Sequence, residues 1–416
     1  MKTLQYLAVV ALTLSLALPC SAHEAPTHEH AELVPIPEYN PPFGEASAAA
    51  SLQAAQVFLA SFDEATRAQL MYDLDAEERA GWSNLPARYV KRAGMSISEL
   101  SDDQRRLLFD FLASSLSEAG YRRVMDALAA EALLSDAWTA RLRGWSPENY
   151  WISFFGAPSA NSPWGWQFGG HHLALNLSVE GNRVTSMSPS LIGTSPAVFS
   201  YNGVAYEAVV DMHRAGYALY DALDAVQKAA ADAGEVPDEL LTGPGKDGVV
   251  PPAIGVSAAD MTANQKGLLL AAISHWVSIQ PSGNAQRRMA ELEAELDRTT
   301  FAWTGANDVN TPTYMIVQGP TVIIELLSTG GGARGGHGHY HTVYRNPVLE
   351  YGGSSSNRSC PTPWVALSSL AAEEQSSETV RDHGSGPVHA TRHRAVRAGR
   401  SPKVRRALRC GDRERR

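Results

Sequence analysis

Cysteine is almost missing from this chain. Three occur in 416 residues, Cys20 near one end and Cys360 and Cys410 near the other, so residues 23–353 hold none. That excludes a disulfide framework, a thiolate metal site and a cysteine nucleophile from the body of the protein. A metal bound there must take His, Asp, Glu or backbone oxygen as its ligands. Long apolar runs are also missing: beyond Leu7–Leu18, nothing approaches the roughly 20 apolar residues that span a bilayer. No G-x-G-x-x-G opens a helix, and no phosphate-loop signature is present, which argues against a nucleotide-cradling loop. H-E-x-x-H and G-x-S-x-G are absent as well, so the common zinc-protease and serine-hydrolase patterns lend no support.

Charge is short of one sign in most of the chain. Residues 354–416 carry 13 Lys+Arg against 6 Asp+Glu, a net of +7, which leaves −16 on residues 1–353 of a chain whose total is −9. An acidic body argues against nucleic acid or anionic lipid as partner. The chain divides by texture. Residues 1–22, "MKTLQYLAVVALTLSLALPCSA", read as a signal peptide cut after Ala22, which predicts a periplasmic or secreted protein with no integral membrane segment after removal. Residues 23–44 form a His/Pro-rich linker whose His23 would become the first residue, with an amine and imidazole able to chelate copper. Residues 45–353 carry the periodic patterns of one large domain. Residues 354–416 read as a basic disordered tail or as sequence translated out of frame.

Within the domain, residues 46–136 are helical in pattern, with Ser101 and Gln104 spaced as a capping box and an interruption near Gly120. Short aromatic and β-branched runs follow from Asn149. A long helix is expected over Ala205–Ala233, helices again over residues 262–299, and strands in "TYMIVQGPTVIIELL", turning at Gly319-Pro320, and "HYHTVYR". The order predicts an α+β fold, an antiparallel sheet with a helical layer.

The chemistry gathers at histidines. In "GGHHLALNLSV" strand alternation puts His171 with the apolar face and His172 with the polar one. In "GGHGHYHTVYRNP" His339 and His341 share a strand face with Val343 and Arg345, about 6–7 Å apart along the backbone, close enough to share a cation. Glu325 lies among aliphatic residues, where a carboxylate needs a partner. It suits a metal ligand, an acceptor for a histidine N–H or a general base, and equally a salt bridge to Arg345. The glycines of residues 330–338 permit a mobile lid. His213 and His275 read as packing or surface residues within helices, and Trp164, Trp166 and Phe168 as core, with a stacking surface as the other possibility.

The segment "PWGWQFGGHHLALNLSVEGNRVTSMSPSLIGTSPA", followed by "FAWTG", "YMIVQGPTVIIEL" and "HYHTVYRNPVLEYGG", resembles the bacterial and fungal family catalogued as domain of unknown function 3500, over about Ala50 to Gly353. The resemblance implies an exported protein and supplies no reaction. The family's ending resembles H-T-x-Y-R-D-P-x-N-D-Y-G, and here Asn346, Leu349 and Glu350 replace the expected Asp, Asn and Asp. Were the first of these aspartates catalytic, Asn346 could not act as a base. The tail beyond Gly353 does not resemble the family's continuation, which favours the out-of-frame reading.

These patterns lead to one expectation: a divalent cation, Zn, Cu, Fe or Mn, held by His172, His339 and His341. Glu325 would be a fourth ligand or catalytic base, and Arg345 would hold an anionic small-molecule substrate. Metal-bound water makes hydrolysis the simplest reaction, and a redox-active ion makes an oxidoreductase. The other readings are a non-catalytic periplasmic binder of metal or small ligand, and histidines that only hold the sheet together. All require the two histidine strands to meet in space.

Overall fold

A computed structural model describes residues 45–137 and 140–353. The segments read as a signal peptide, as the linker with His23 and as the basic tail lie outside the described residues. Six helices and eight principal strands carry the architecture. The helices are α1 (Ala48–Ala60), α2 (Asp102–Ser115), α3 (Glu118–Ser135), α4 (Val210–Ala222), α5 (Ala263–Val277) and α6 (Ser282–Ala294). The strands are β1 (Tyr150–Phe155), β2 (Trp164–Gly170), β3 (Leu173–Glu180), β4 (Ser190–Thr194), β5 (Thr300–Thr304), β6 (Thr313–Gln318), β7 (Ile323–Ser328) and β8 (Tyr340–Arg345).

Two meanders, β1-β2-β3-β4 and β5-β6-β7-β8, join through antiparallel pairing of β4 with β8, where Leu191 faces Val343 and Gly193 faces His341. With short strands at its edges the sheet reaches 12 strands. It is antiparallel apart from Met71–Tyr72, which runs parallel to β1. The fold is α+β in one domain.

The two halves repeat one plan. Asp63 and Asp224 each cap a short helix. Met71 pairs in parallel with Phe154, and Asp232 pairs in parallel with Trp303. Gly94 and Gly255 both have positive φ, and a Cβ there would lie 1.9 Å from the Ile152 carbonyl oxygen and 2.1 Å from that of Phe301. Ser101 with Gln104 and Thr262 with Gln265 form complete capping boxes at the starts of α2 and α5. Asp63/Asp224, Met71/Asp232, Gly94/Gly255 and the two capping boxes are each separated by 161 positions, and their strand partners Phe154/Trp303 and Ile152/Phe301 by 149. The duplication is carried by backbone requirements at fixed spacing, where only a few residue types fit.

The sheet has two different faces. One packs on helices: Trp166 meets Phe111 of α2 edge-on at 5.3 Å between ring centroids, and Trp276 of α5 donates to Thr342 at 3.2 Å. Trp164, Trp166 and Phe168 are core residues of this face. The other face is covered by two long loops, residues 73–94 and 233–255, which bring Trp82 and Leu240 against Leu191, Ile323 and Val343. Two expectations need correction. Residues 69–100 are mostly loop, so the helical pattern from Ala46 to Asp136 is discontinuous, and its later break falls at Leu116–Ser117 rather than Gly120. The helix expected over Ala205–Ala233 starts at Val210 and ends at Ala222, because Asp224 caps a new helix, Ala225–Ala231. Before it, Val198–Tyr201 and Val204–Glu207 form a hairpin turning on Asn202-Gly203, both at positive φ, as such a turn requires.

Candidate metal centre

His172, His339 and His341 come together. One ring nitrogen from each lies within 4.8 Å of the others. Their ring centroids are 5.3 Å apart for His172 and His339, 5.1 Å for His172 and His341, and 4.8 Å for His339 and His341, with interplanar angles of 63°, 47° and 79°. Three steeply inclined rings around one point are the arrangement a small cation needs. At metal–nitrogen distances of about 2.0–2.1 Å, tetrahedral ligand nitrogens stand roughly 3.4 Å apart, so binding would draw the rings inward by about 1 Å.

The chain reaches this geometry from both halves. His171 and His172 are not on a strand as alternation suggested; they are the two turn residues between Gly170 and Leu173, where β2 passes into β3. His172 sits at φ 61°, a left-handed conformation uncommon for a residue with a Cβ. Its carbonyl accepts from Gly193 N at 2.6 Å, which docks the turn onto the β4–β8 seam. Gly193 has to be glycine for packing reasons. A Cβ there would lie 2.7 Å from the Tyr340 carbonyl oxygen, 3.0 Å from His341 Cδ2 and 3.2 Å from His172 Cδ2. His339 precedes β8 and His341 is its second residue, both on the loop-covered side.

The imidazoles hold unspent bonding capacity. The Nε2 atoms of His172 and His339 are buried and have no hydrogen-bond partner. Leaving such a group unpaired costs on the order of 1–3 kcal/mol. Nδ1 of His339 is 3.2 Å from Thr329 Oγ1, which orients the ring and leaves Nε2 as its unpaired nitrogen. His341 Nε2 has a long contact, 3.4 Å, to the amide of Asn84. Burial holds His172 and His341 well below the ordinary histidine range and His339 at about 4. All three are therefore neutral near pH 7, the state in which imidazole binds metal.

Behind the triad stands a second layer. His171 stacks on His172 with centroids 3.7 Å apart, and its Nδ1 pairs with Glu131 at 2.7 Å. Trp145 stacks on the far side of His171 at 6.4 Å. Glu131 also accepts from Ser146 N at 3.3 Å. His337 is exposed and pairs with Asn310, outside the triad. The glycine run before it folds back, with Gly336 against Pro196 and His337 bridged to Val198. His213 is buried against Tyr340 and Trp303, and half-buried His275 pairs with Asp211.

Glu325 and Arg345 are not part of this group. Glu325 is fully buried and accepts from Leu241 N at 2.8 Å, Thr242 N at 2.7 Å, the Thr242 hydroxyl and the Tyr314 hydroxyl at 2.7 Å. It fastens the 233–255 loop to the sheet. Arg345, fully buried, donates to Glu350 at 2.5 Å, Asp247 at 2.6 Å, Thr242 O at 2.8 Å and Lys246 O at 3.1 Å. Burial alone would lower its pKa, and the two carboxylates more than offset that. No ion pair joins Glu325 to Arg345 among the described residues. Asn346 closes a turn, accepting from Val348 N and Leu349 N at 3.1 and 3.2 Å.

The family described as protein of unknown function (DUF3500) matches residues 44–353, and the chain belongs to that family. No curated protein and no solved structure matches it.

Proposed function

We propose that this DUF3500 protein binds one divalent transition-metal ion through His172, His339 and His341 and uses it in an exported, hydrolytic enzyme. The observation that carries the reading is the pair of buried Nε2 atoms without partners among the described residues, on two of three neutral rings whose ligand nitrogens lie within 4.8 Å of one another. Three protein ligands leave coordination positions for water and substrate, the pattern of catalytic rather than structural zinc. Held by His172, His339 and His341, such an ion would supply the acidity that makes water a nucleophile near neutral pH. The all-imidazole donor set suits Zn, Cu or Fe better than Mn, which favours oxygen ligands. Arg345 does not hold substrate in this scheme, because its donors are committed to Glu350, Asp247 and two carbonyls.

One observation favours a second reading, a metal-binding protein without turnover. No carboxylate belongs to the group, and Glu131, the acid behind it, is engaged by His171. Elemental analysis of the purified protein tests the common premise: one equivalent of metal, lost in the His339→Ala/His341→Ala double variant while the circular dichroism is unchanged, is expected. No metal after reconstitution with each of the four ions would end both readings. Ester and phosphate-ester hydrolysis by the loaded protein, absent in the double variant, separates enzyme from binder. N-terminal sequencing of material recovered from outside the cytoplasm tests export, with His23 expected first.

A further inference from the structure

We infer that Asn84 is a functional residue of the histidine centre: its side-chain amide donates to an anion bound at the cation's open position. The inference rests on the metal-site reading above. Asn84 comes from the 73–94 loop, and its Nδ2 lies 3.4 Å from His341 Nε2. That is at the long limit of a hydrogen bond, so little is lost by breaking it. With the His341 lone pair taken up by a cation, the NH2 group would lose its acceptor on the ring and be free to donate to a further ligand of that cation.

The amide is held in place on both sides. The Asn84 carbonyl accepts from His172 N at 3.3 Å, tying the loop to the histidine turn. Arg92, 6 % exposed, donates to the carbonyls of both flanking residues, Ser83 at 2.9 Å and Leu85 at 2.6 Å, and to Gly170 O at 3.1 Å. One guanidinium therefore holds the residue before Asn84, the residue after it and the strand end that carries His171 and His172. Burial pushes its pKa down to about 10, and it stays charged. Such a strut fixes the loop that carries the donor, and a binding site requires its groups to be held in place in this way.

Charge gives the ligand class. Three neutral imidazoles cancel none of the ion's +2, no acid is in the group, and Glu131 is spent on His171. A small monoanion with an oxygen or nitrogen donor, such as a carboxylate, both lowers that charge and accepts from the amide. At the related position of the other half, 161 residues on, stands Gly245, which has no side chain to offer.

The test uses the full chain loaded with Co(II), with azide as the probe, followed by its visible absorption. Azide replaces one coordinated water, which leaves to solvent. Wild type should bind azide saturably. Asn84→Ala should keep one cobalt per chain and lose affinity for azide about tenfold, the value of one hydrogen bond to a charged acceptor. Asn84→Asp, isosteric but without the donor and negatively charged, should keep cobalt and show no azide binding. Azide affinity within twofold of wild type in both variants, at full cobalt loading, overturns the inference and leaves the metal site standing. If wild type takes up no cobalt, zinc or copper, the metal reading itself fails and takes the inference with it.

Discussion

Two buried polar clusters lie on the same face of the same sheet, along β8, and they are made in opposite ways. At the Arg345 end every strong donor meets an acceptor: two carboxylates and two carbonyls for the arginine, and four donors for the carboxylate of Glu325. At the His339 end two imidazole nitrogens are buried with nothing to bond. Both clusters look functional in the sequence, since a charge in an apolar strand and an H-x-H pair are equally conspicuous. What separates them is whether bonding capacity is left over. A saturated cluster fastens loops, and an unsaturated one awaits a ligand.

The contrast fails if Arg345 proves dispensable. Arg345→Ala should lower stability by about 3–5 kcal/mol, the cost of stranding Glu350 and Asp247 in the interior, measured by urea unfolding. The folded fraction should still bind metal. A loss of metal at unchanged stability would move Arg345 into the site.

A third buried group, on the helical face, sharpens the comparison. His213 has its Nδ1 3.0 Å from the Tyr340 hydroxyl and is held by burial at about 4. Its folded pKa is depressed below the unfolded value of about 6.5, so the unfolded chain binds the proton first. The stability it supports is present above pH 6.5 and is lost as pH falls toward 4, by up to about 3 kcal/mol. His213→Gln should flatten that part of the stability–pH curve relative to wild type. A parallel curve would show that His213 titrates normally.

Zinc at 100 times its dissociation constant should stabilise wild type by about 2.7 kcal/mol, and the His339→Ala/His341→Ala variant by nothing. Without metal, that double variant should unfold within about 1 kcal/mol of wild type, because among the described residues the two side chains hydrogen-bond only to Thr329 and Asn84. A large loss in metal-free protein would mean that the histidines hold the sheet together instead. At Gly193, alanine should part the His172 and His341 rings and weaken metal binding roughly tenfold, or about 1.4 kcal/mol. Calorimetric titration with zinc gives that number.

Local pattern made some of this legible. The capping box at Ser101 and Gln104, the hairpin beyond Gly319, and the alternation of β8 all depend on neighbours within a few residues. The His171-His172 pair was misplaced by alternation because a two-residue turn with flanking glycines gives the same apolar pattern as a continuing strand. Asn202-Gly203 carried a hairpin signal that the following helical run obscured. Glu325 announced that it needed a partner, but Thr242 and Tyr314 could not be named, since one comes from a loop whose path has no periodicity. Asn84 had no signal at all: an asparagine in a polar loop acquires meaning only when Arg92 and the histidine turn are placed around it. The duplication was present in spacing and in a few shared residues, Asp63/Asp224, Gly94/Gly255 and Gln104/Gln265, too sparse to stand out without the fold. At the turn matching His171-His172 the other half has Pro320-Thr321, with Thr321 tied to Arg288 and Glu295. Repetition therefore supplied the frame twice and the histidine centre once.

A domain without cysteine has no covalent cross-link, yet the histidines come from distant parts of the chain, residue 172 in one half and residues 339 and 341 in the other. An ion held between them would tie together positions about 170 residues apart, and because it leaves when the chain unfolds, its stabilisation would rise with metal concentration and affinity, where a disulfide's is fixed. The seam between β4 and β8 would then carry a staple that reduction cannot cut and a chelator can.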